Sequence, residues 1–232
     1  MVSIDLAELS VREANAQLRT LGEAGEEVEI LNPDARHHIG VGLTSPISVN
    51  VKGSAGYFCA GLTDQACFHV SHSVGWGVGD NMYSGSVVVG GNAGAIPGVA
   101  IRGAEIVIKG NMGSRAGQVM KAGTLCCVGN ANFMAGYMMY GGRIIILGDA
   151  GERVGEDMSS GEIYVAGNVE DLGSAKCTGV GKAAYREKCR VIYRTPPSCT
   201  RIGEWGDAVL VGRLPGRVEG GLRQQGTSCR LP

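Results

Sequence analysis

Glycine returns in this chain at a fixed step of 19 residues. Starting from Gly53, the step reaches His72, Gly91, Gly110, Gly129, Gly148 and Gly167. Three residues after each of these anchors stand Gly56, Gly75, Gly94, Gly113, Asn132, Gly151 and Glu170. Seven residues after them stand Ala60, Gly79, Gly98, Gly117, Gly136, Gly155 and Ser174. A further glycine follows at twelve or thirteen: Gly85, Gly103, Gly123, Gly142, Gly161 and Gly179. The triplet G-x-x-G-x-x-x-G thus runs through seven registers with no insertion or deletion. A constant period with the same residue types in register means coils stacked on coils, each touching chiefly its neighbours.

The residues before each anchor read as strands. Val49, Phe68, Val87, Ile106, Leu125, Ile144 and Ile163 lie four before it, and Val51, Val70, Val89, Ile108, Cys127, Ile146 and Val165 two before it. A period of two puts both columns on one strand face, toward a core. Ten residues after the anchor runs another mostly apolar column: Thr63, Met82, Ile101, Met120, Met139, Met158 and Cys177. A polar column follows the anchor directly: Ser54, Ser73, Asn92, Asn111, Asn130, Asp149 and Asn168. It predicts an asparagine ladder, with stacked amides bonding to each other and to turn carbonyls. The fold expected is all-β: a parallel β-helix of about seven 19-residue coils, right-handed because parallel crossovers overwhelmingly are. At ~4.8 Å per coil the rod would be about 34 Å long.

The repeat removes some tempting motifs. The stretch VVVGGNAGAIPGVAIRG over 87–103 is one coil, not a phosphate loop. Gly75-Trp76-Gly77-Val78-Gly79 has dinucleotide-like spacing but no helical pattern after it. Calcium-binding nonapeptides need a recurrent aspartate, and only Asp149 occupies the ladder column. Glycine makes up 39 of 232 residues, about twice the usual share, yet proline is only 7 and 44% of residues are hydrophobic. That combination suits many tight turns between short strands rather than a disordered linker. A net charge of −1 offers no electrostatic footprint for nucleic acid. No apolar run of about 18 residues predicts a membrane span, and MVSIDLAELS does not read as a signal peptide. A cytoplasmic, reducing setting is therefore expected, with Cys59, Cys67, Cys126, Cys127, Cys177, Cys189, Cys199 and Cys229 mostly free thiols. None forms a C-x-x-C pair, so no metal site is expected from them.

Residues 1–48 read as an N-terminal helix and cap, 49–181 as the β-helix, and 182–232 as a basic segment and irregular tail. Ser10-Val11-Arg12-Glu13 is a capping box that opens a helix through about Leu21, with Gly22 as its stop. Leu6, Ala14, Leu18 and Leu21 supply its apolar stripe. Glu27 to Leu31 alternates as a strand, and Asn32-Pro33 turns the chain. Register is lost after Gly179, since Arg186 stands where an eighth anchor would fall. Lys182, Arg186, Lys188, Arg190 and Arg194 follow with only Glu187 opposing. An unpaired final edge invites docking, so this segment is a candidate for reaching a partner.

Little in the columns points to catalysis. His69 and His72, three apart, could reach one metal, but His72 stands in an anchor position and His69 on the outward strand face. His37 and His38 are the remaining histidines. Cys127 belongs to a core column beside Cys126 and reads as a small hydrophobe. Arg115 and Arg153 share one register and could belong to a basic stripe. A polysaccharide-active β-helix would need a row of carboxylates, whereas Glu105, Glu162, Asp149 and Asp157 are scattered. The expectation is therefore no catalytic, cofactor-binding or metal-binding residue in this chain.

Seven registers of this glycine triplet resemble the GXGXG domain family over about residues 40–181. That family includes the C-terminal β-helix domain of the glutamate synthase large subunit and the β-helix polypeptide of formylmethanofuran dehydrogenase. The departures are His72, Asn132, Glu170, Ala60 and Ser174. The resemblance implies a non-catalytic structural subunit in a glutamate-synthase-like hetero-oligomer. Its partners would be an amidotransferase-like subunit and an FMN-binding synthase-like subunit. FMN, with an iron–sulfur cluster as a further candidate, would reside in those partners. DLAELSVREANAQL and NPDARHHIGVGL look like the free-standing middle subunits of N-methylglutamate synthases (methylamine–glutamate N-methyltransferases). The alternative is the β-helix polypeptide of a formylmethanofuran dehydrogenase.

Overall fold

The computed structural model describes residues 1–173. The last-register residues Ser174, Cys177 and Gly179, the basic segment Lys182–Arg194 and the tail 196–232 lie outside them. Among the described residues nine strands form a single sheet in chain order. These are β1 Val2–Asp5, β2 Glu27–Leu31, β3 Ser48–Val51, β4 Cys67–Val70, β5 Ser86–Val89, β6 Glu105–Ile108, β7 Thr124–Cys127, β8 Arg143–Ile146 and β9 Glu162–Val165. Every neighbouring pair is parallel. From β3 onward the register is the 19-residue step itself: Val49 pairs with Phe68, Phe68 with Val87, and so on to Ile163. The chain is thus a parallel β-solenoid of about seven turns.

A second ladder confirms the coil geometry two residues past the anchor. Ala55, Val74, Ala93, Met112, Ala131, Ala150 and Val169 bridge in series, each to the next coil. Both expected strand columns and Met82, Ile101, Met120, Met139 and Met158 of the methionine column are buried in one continuous core, and Thr63 is buried as a polar member of that column. Each such side chain removed from water contributes about 1.5–3 kcal/mol, which is how four-residue strands hold together.

Each coil also has a stretch the sequence does not announce. At five, seven and nine residues past the anchor, the backbone turns left-handed at all three positions. In one coil these are Arg115 (φ 57), Gly117 (φ 65) and Val119 (φ 49); in the next, Met134, Gly136 and Met138. The amides then point alternately along the rod. Arg115 N–H donates forward to Phe133 O at 2.7 Å, Gly117 N–H backward to Pro97 O at 2.8 Å, and Val119 N–H forward to Tyr137 O at 3.0 Å. A left-handed non-glycine residue costs about 1–2 kcal/mol, and these coil-to-coil bonds offset it. The middle position faces the core, so it is the one that becomes glycine.

The anchor column and the column three residues after it work differently. Gly113 has no left-handed φ, but a Cβ there would stand 2.6 Å from the backbone of Gly94 in the preceding coil. Here glycine permits close stacking.

The N-terminus closes the first coil. The α1 helix, Val11–Glu23, is capped by Ser10, and Glu13 completes the capping box. Gly22 is not its stop. It lies buried within the helix where α1 crosses Ser45 and Ile47, and a Cβ would come 3.3 Å from Ser45 Cβ. The stop is Gly25, at φ 70, with its N–H on Gly22 O and the Glu26 N–H on Leu21 O, a Schellman arrangement. Asn15, buried on α1, donates from Nδ2 to His38 O and accepts from the Gly40 N–H, both at 2.8 Å. It ties the helix to the coil built on β2. That coil precedes the seven periodic ones and already has left-handed residues at His38, Gly40 and Gly42. β1, which pairs with β2 in parallel, is an addition to the elements expected from the sequence.

Candidate functional site

The ladder after the anchors is real but bonds in another way than expected. Side-chain oxygens accept from backbone N–H groups one coil on, rather than from neighbouring amides. Ser73 Oγ accepts from Asn92 at 3.0 Å, Asn92 Oδ1 from Asn111 at 2.8 Å and Asn111 Oδ1 from Asn130 at 2.8 Å. Asn130 Oδ1 accepts from Asp149 at 2.9 Å, and Asp149 Oδ1 from Asn168 at 2.7 Å. Only an oxygen on a short side chain is needed, which is why Ser and Asp substitute for Asn. Asp149 is thereby a structural rung. Glu162 instead pairs with Arg143 at 3.2 Å, Asp157 is an exposed left-handed residue, and Glu105 is on β6. The four acids form no row.

His69 is half-buried on the outward side of β4, and burial, then Lys109 and Lys52, lower its pKa. His72 is exposed, with Nδ1 3.0 Å from Ser71 Oγ. No group of three or more metal-capable side chains gathers among the described residues. Cys59, Cys126 and Cys127 are free thiols. Burial pushes Cys59 up to about 12, and burial with Cys126 nearby pushes Cys127 up to about 12. The Cys127 thiol donates to Gly110 O at 3.2 Å. Both are inert interior groups. Arg115 and Arg153 are exposed, but buried Met134 stands between them in the same column, so no basic stripe forms there.

Two exposed aromatic features do stand out. On one corner the rings of His37, Tyr57 and Trp76 stack in series. His37 lies 4.3 Å from Tyr57 at 6°, and Tyr57 5.3 Å from Trp76 at 19°. His37 Nδ1 also accepts the Tyr57 N–H at 2.9 Å. Trp76 is 54% exposed, and a Cβ on Gly94 in the next coil would meet its Cδ1 at 2.6 Å. The 19-residue step hides this stack, because the first coil is longer and His37 is 20 residues before Tyr57.

The other feature lies eleven residues past the anchors. Tyr83, Arg102, Lys121 and Tyr140 occupy consecutive coils, and all are exposed. Their amides bond one coil back in the same way, to Thr63, Met82, Ile101 and Met120. The Arg102 guanidinium sits 4.9 Å over the Tyr83 ring. Met138, two residues before Tyr140, and Leu62, at the equivalent position one coil before that of Tyr83, are exposed apolar neighbours. The column is legible as a period; its exposure is not.

No helix among the described residues is long and apolar enough to cross a membrane. No family model matches the chain. The chain is 41% identical over 91 residues to Protein GlxC of Rhizobium meliloti (strain 1021). The match covers 38% of this chain and 40% of that protein. No solved structure matches.

Proposed function

We propose that this chain is a structural subunit of a glutamate-synthase-related heteromeric enzyme, a rod that arranges catalytic partners without reacting itself. The observation that carries the reading is the glycine triplet in strict register, with each column explained by coil stacking or left-handed backbone. This pattern resembles that of the GXGXG family, and similarity to Protein GlxC over 91 residues supports the same direction. The finer reading is the middle subunit of an N-methylglutamate synthase. It would organise an amidotransferase-like and an FMN-binding synthase-like subunit. Cytoplasmic assembly belongs to the same reading.

Co-expression of the chain with those two subunits, followed by purification and mass spectrometry, tests it. A stable ternary complex with flavin confined to the synthase-like subunit is expected, together with methylamine-dependent turnover. Stoichiometric flavin on the isolated chain, or failure to associate with either subunit, overturns the reading.

A further inference from the structure

The edge formed by Leu62, Tyr83, Arg102, Lys121, Met138 and Tyr140 differs from an ordinary solvated face. Tyr83 and Tyr140 are each 52% exposed, and Leu62 53%. Among the described residues neither Arg102 nor Lys121 takes part in an ion pair, unlike Lys52 with Glu29 and Arg143 with Glu162. The two cations are one coil apart, a spacing of ~4.8 Å, and tyrosines flank them in the coils before and after. Tyrosine, arginine and methionine are the residue types enriched where proteins dock, and tyrosine and arginine dominate the binding energy there.

The column two residues earlier is left-handed throughout: Leu62, Asn81, Ala100, Val119, Met138 and Asp157. Asn81 and Asp157 show the residues that tolerate this conformation. Val119, β-branched and at φ 49, is among the least suited, yet it stands beside the cations. The coil-to-coil bond from its N–H to Tyr137 O offsets that cost, as at the other left-handed positions. Asn81 and Asp157 interrupt this column, whose outward apolar members are Leu62, Val119 and Met138; Arg102 and Lys121 beside them make no ion pair among the described residues.

We propose that this edge is a docking surface for a partner protein presenting an acidic strip between apolar contacts. Carboxylates meet Arg102 and Lys121, and apolar groups pack on Tyr83, Tyr140, Leu62 and Met138. The inference rests on the scaffold reading above and names the face that one partner takes.

The test uses the full chain co-expressed with the amidotransferase-like and synthase-like subunits. Affinity is measured for wild type, for R102E/K121E, for Y83A/Y140A and for the control R12E/R19E on exposed positions of α1. Circular dichroism checks that each variant is folded. The expected result is at least tenfold weaker association for R102E/K121E and for Y83A/Y140A with one subunit, and no change for the control. Raising salt should weaken wild-type association and leave R102E/K121E nearly unaffected. Wild-type binding that R102E/K121E retains within twofold overturns the docking edge and leaves the scaffold reading standing. Equal loss in the control overturns it too, since bulk charge would then be the cause. Loss of a self-associated form in place of a hetero-complex makes a second copy the occupant and overturns the acidic partner. Wild-type failure to bind either subunit overturns both readings together.

Discussion

Gly98 and Gly117 share one register and one left-handed conformation, at φ 66 and φ 65. They differ in what a side chain would meet. A Cβ at Gly98 would find Leu125 Cδ2 at 3.4 Å, an ordinary contact, whereas one at Gly117 would find Ile144 Cδ1 at 2.5 Å. Gly98→Ala should therefore cost about 1 kcal/mol, the conformational penalty alone. Gly117→Val adds branching and overpacking and should cost about 3 kcal/mol or more. Denaturant unfolding of the two variants measures the difference; equal costs would mean that packing against Ile144 plays no part. The interior thiols give a second residue-scale outcome. Cys59 and Cys127 are raised from 9.0 to about 12, so both stay protonated in the fold at pH 8. Iodoacetamide at pH 8 should leave both unmodified in the native chain and label both after denaturation. Their contribution to stability is complete below about pH 9 and is lost as pH rises toward 12, because only the unfolded chain gives up those protons in that window.

At the scale of elements, the side-chain ladder makes a chemical prediction. Asn111 Oδ1 satisfies the Asn130 N–H, so Asn111→Ala should cost about 1 kcal/mol, while Asn111→Asp should be close to neutral because Asp149 already fills that role. Thermal melts of both variants decide it; matched losses would show that the amide nitrogen matters. This ladder also shows what sequence can and cannot reveal. The column itself is legible from period alone, as are β3 to β9; β2 is legible from its alternation and the start of α1 from its capping box. Which atoms bond is not legible, since Ser, Asn and Asp share an acceptor oxygen and little else. β1 is invisible for another reason: VSID is too short to carry a pattern, and pairing with β2 makes it a strand. The end of α1 is easily misread because a buried crossing glycine and a terminating glycine look alike, and Gly22 precedes Gly25 by only three residues. The left-handed Ile96 and Val119 run against local preference, so only the coil-to-coil bonds around them explain their backbone. The exposed edge follows the period, but nothing in a linear pattern says which outward column stays open to water.

For the whole molecule, equal registers imply interchangeable coils. Removing Gly110–Val128 joins Lys109 to Gly129 and leaves every column aligned, with β6 brought against β8 and Ile106 opposite Ile144. Such a chain should fold, keep its strand signal per residue in circular dichroism and lose only part of its stability, because each coil depends on its neighbours. Deleting ten residues at the same place should abolish cooperative unfolding; a folded product would mean that register is not what holds the rod. The direction of the sheet hydrogen bonds has a mechanical consequence. They run from coil to coil, along the rod and not across it, so tension applied between its ends loads them in series. Each coil should then peel away at its own modest force, giving a sawtooth with one step per register. Under compression the same coils have nowhere to go. Two partners held on such a rod can be pressed together firmly, but a pull between them would be yielded to one rung at a time.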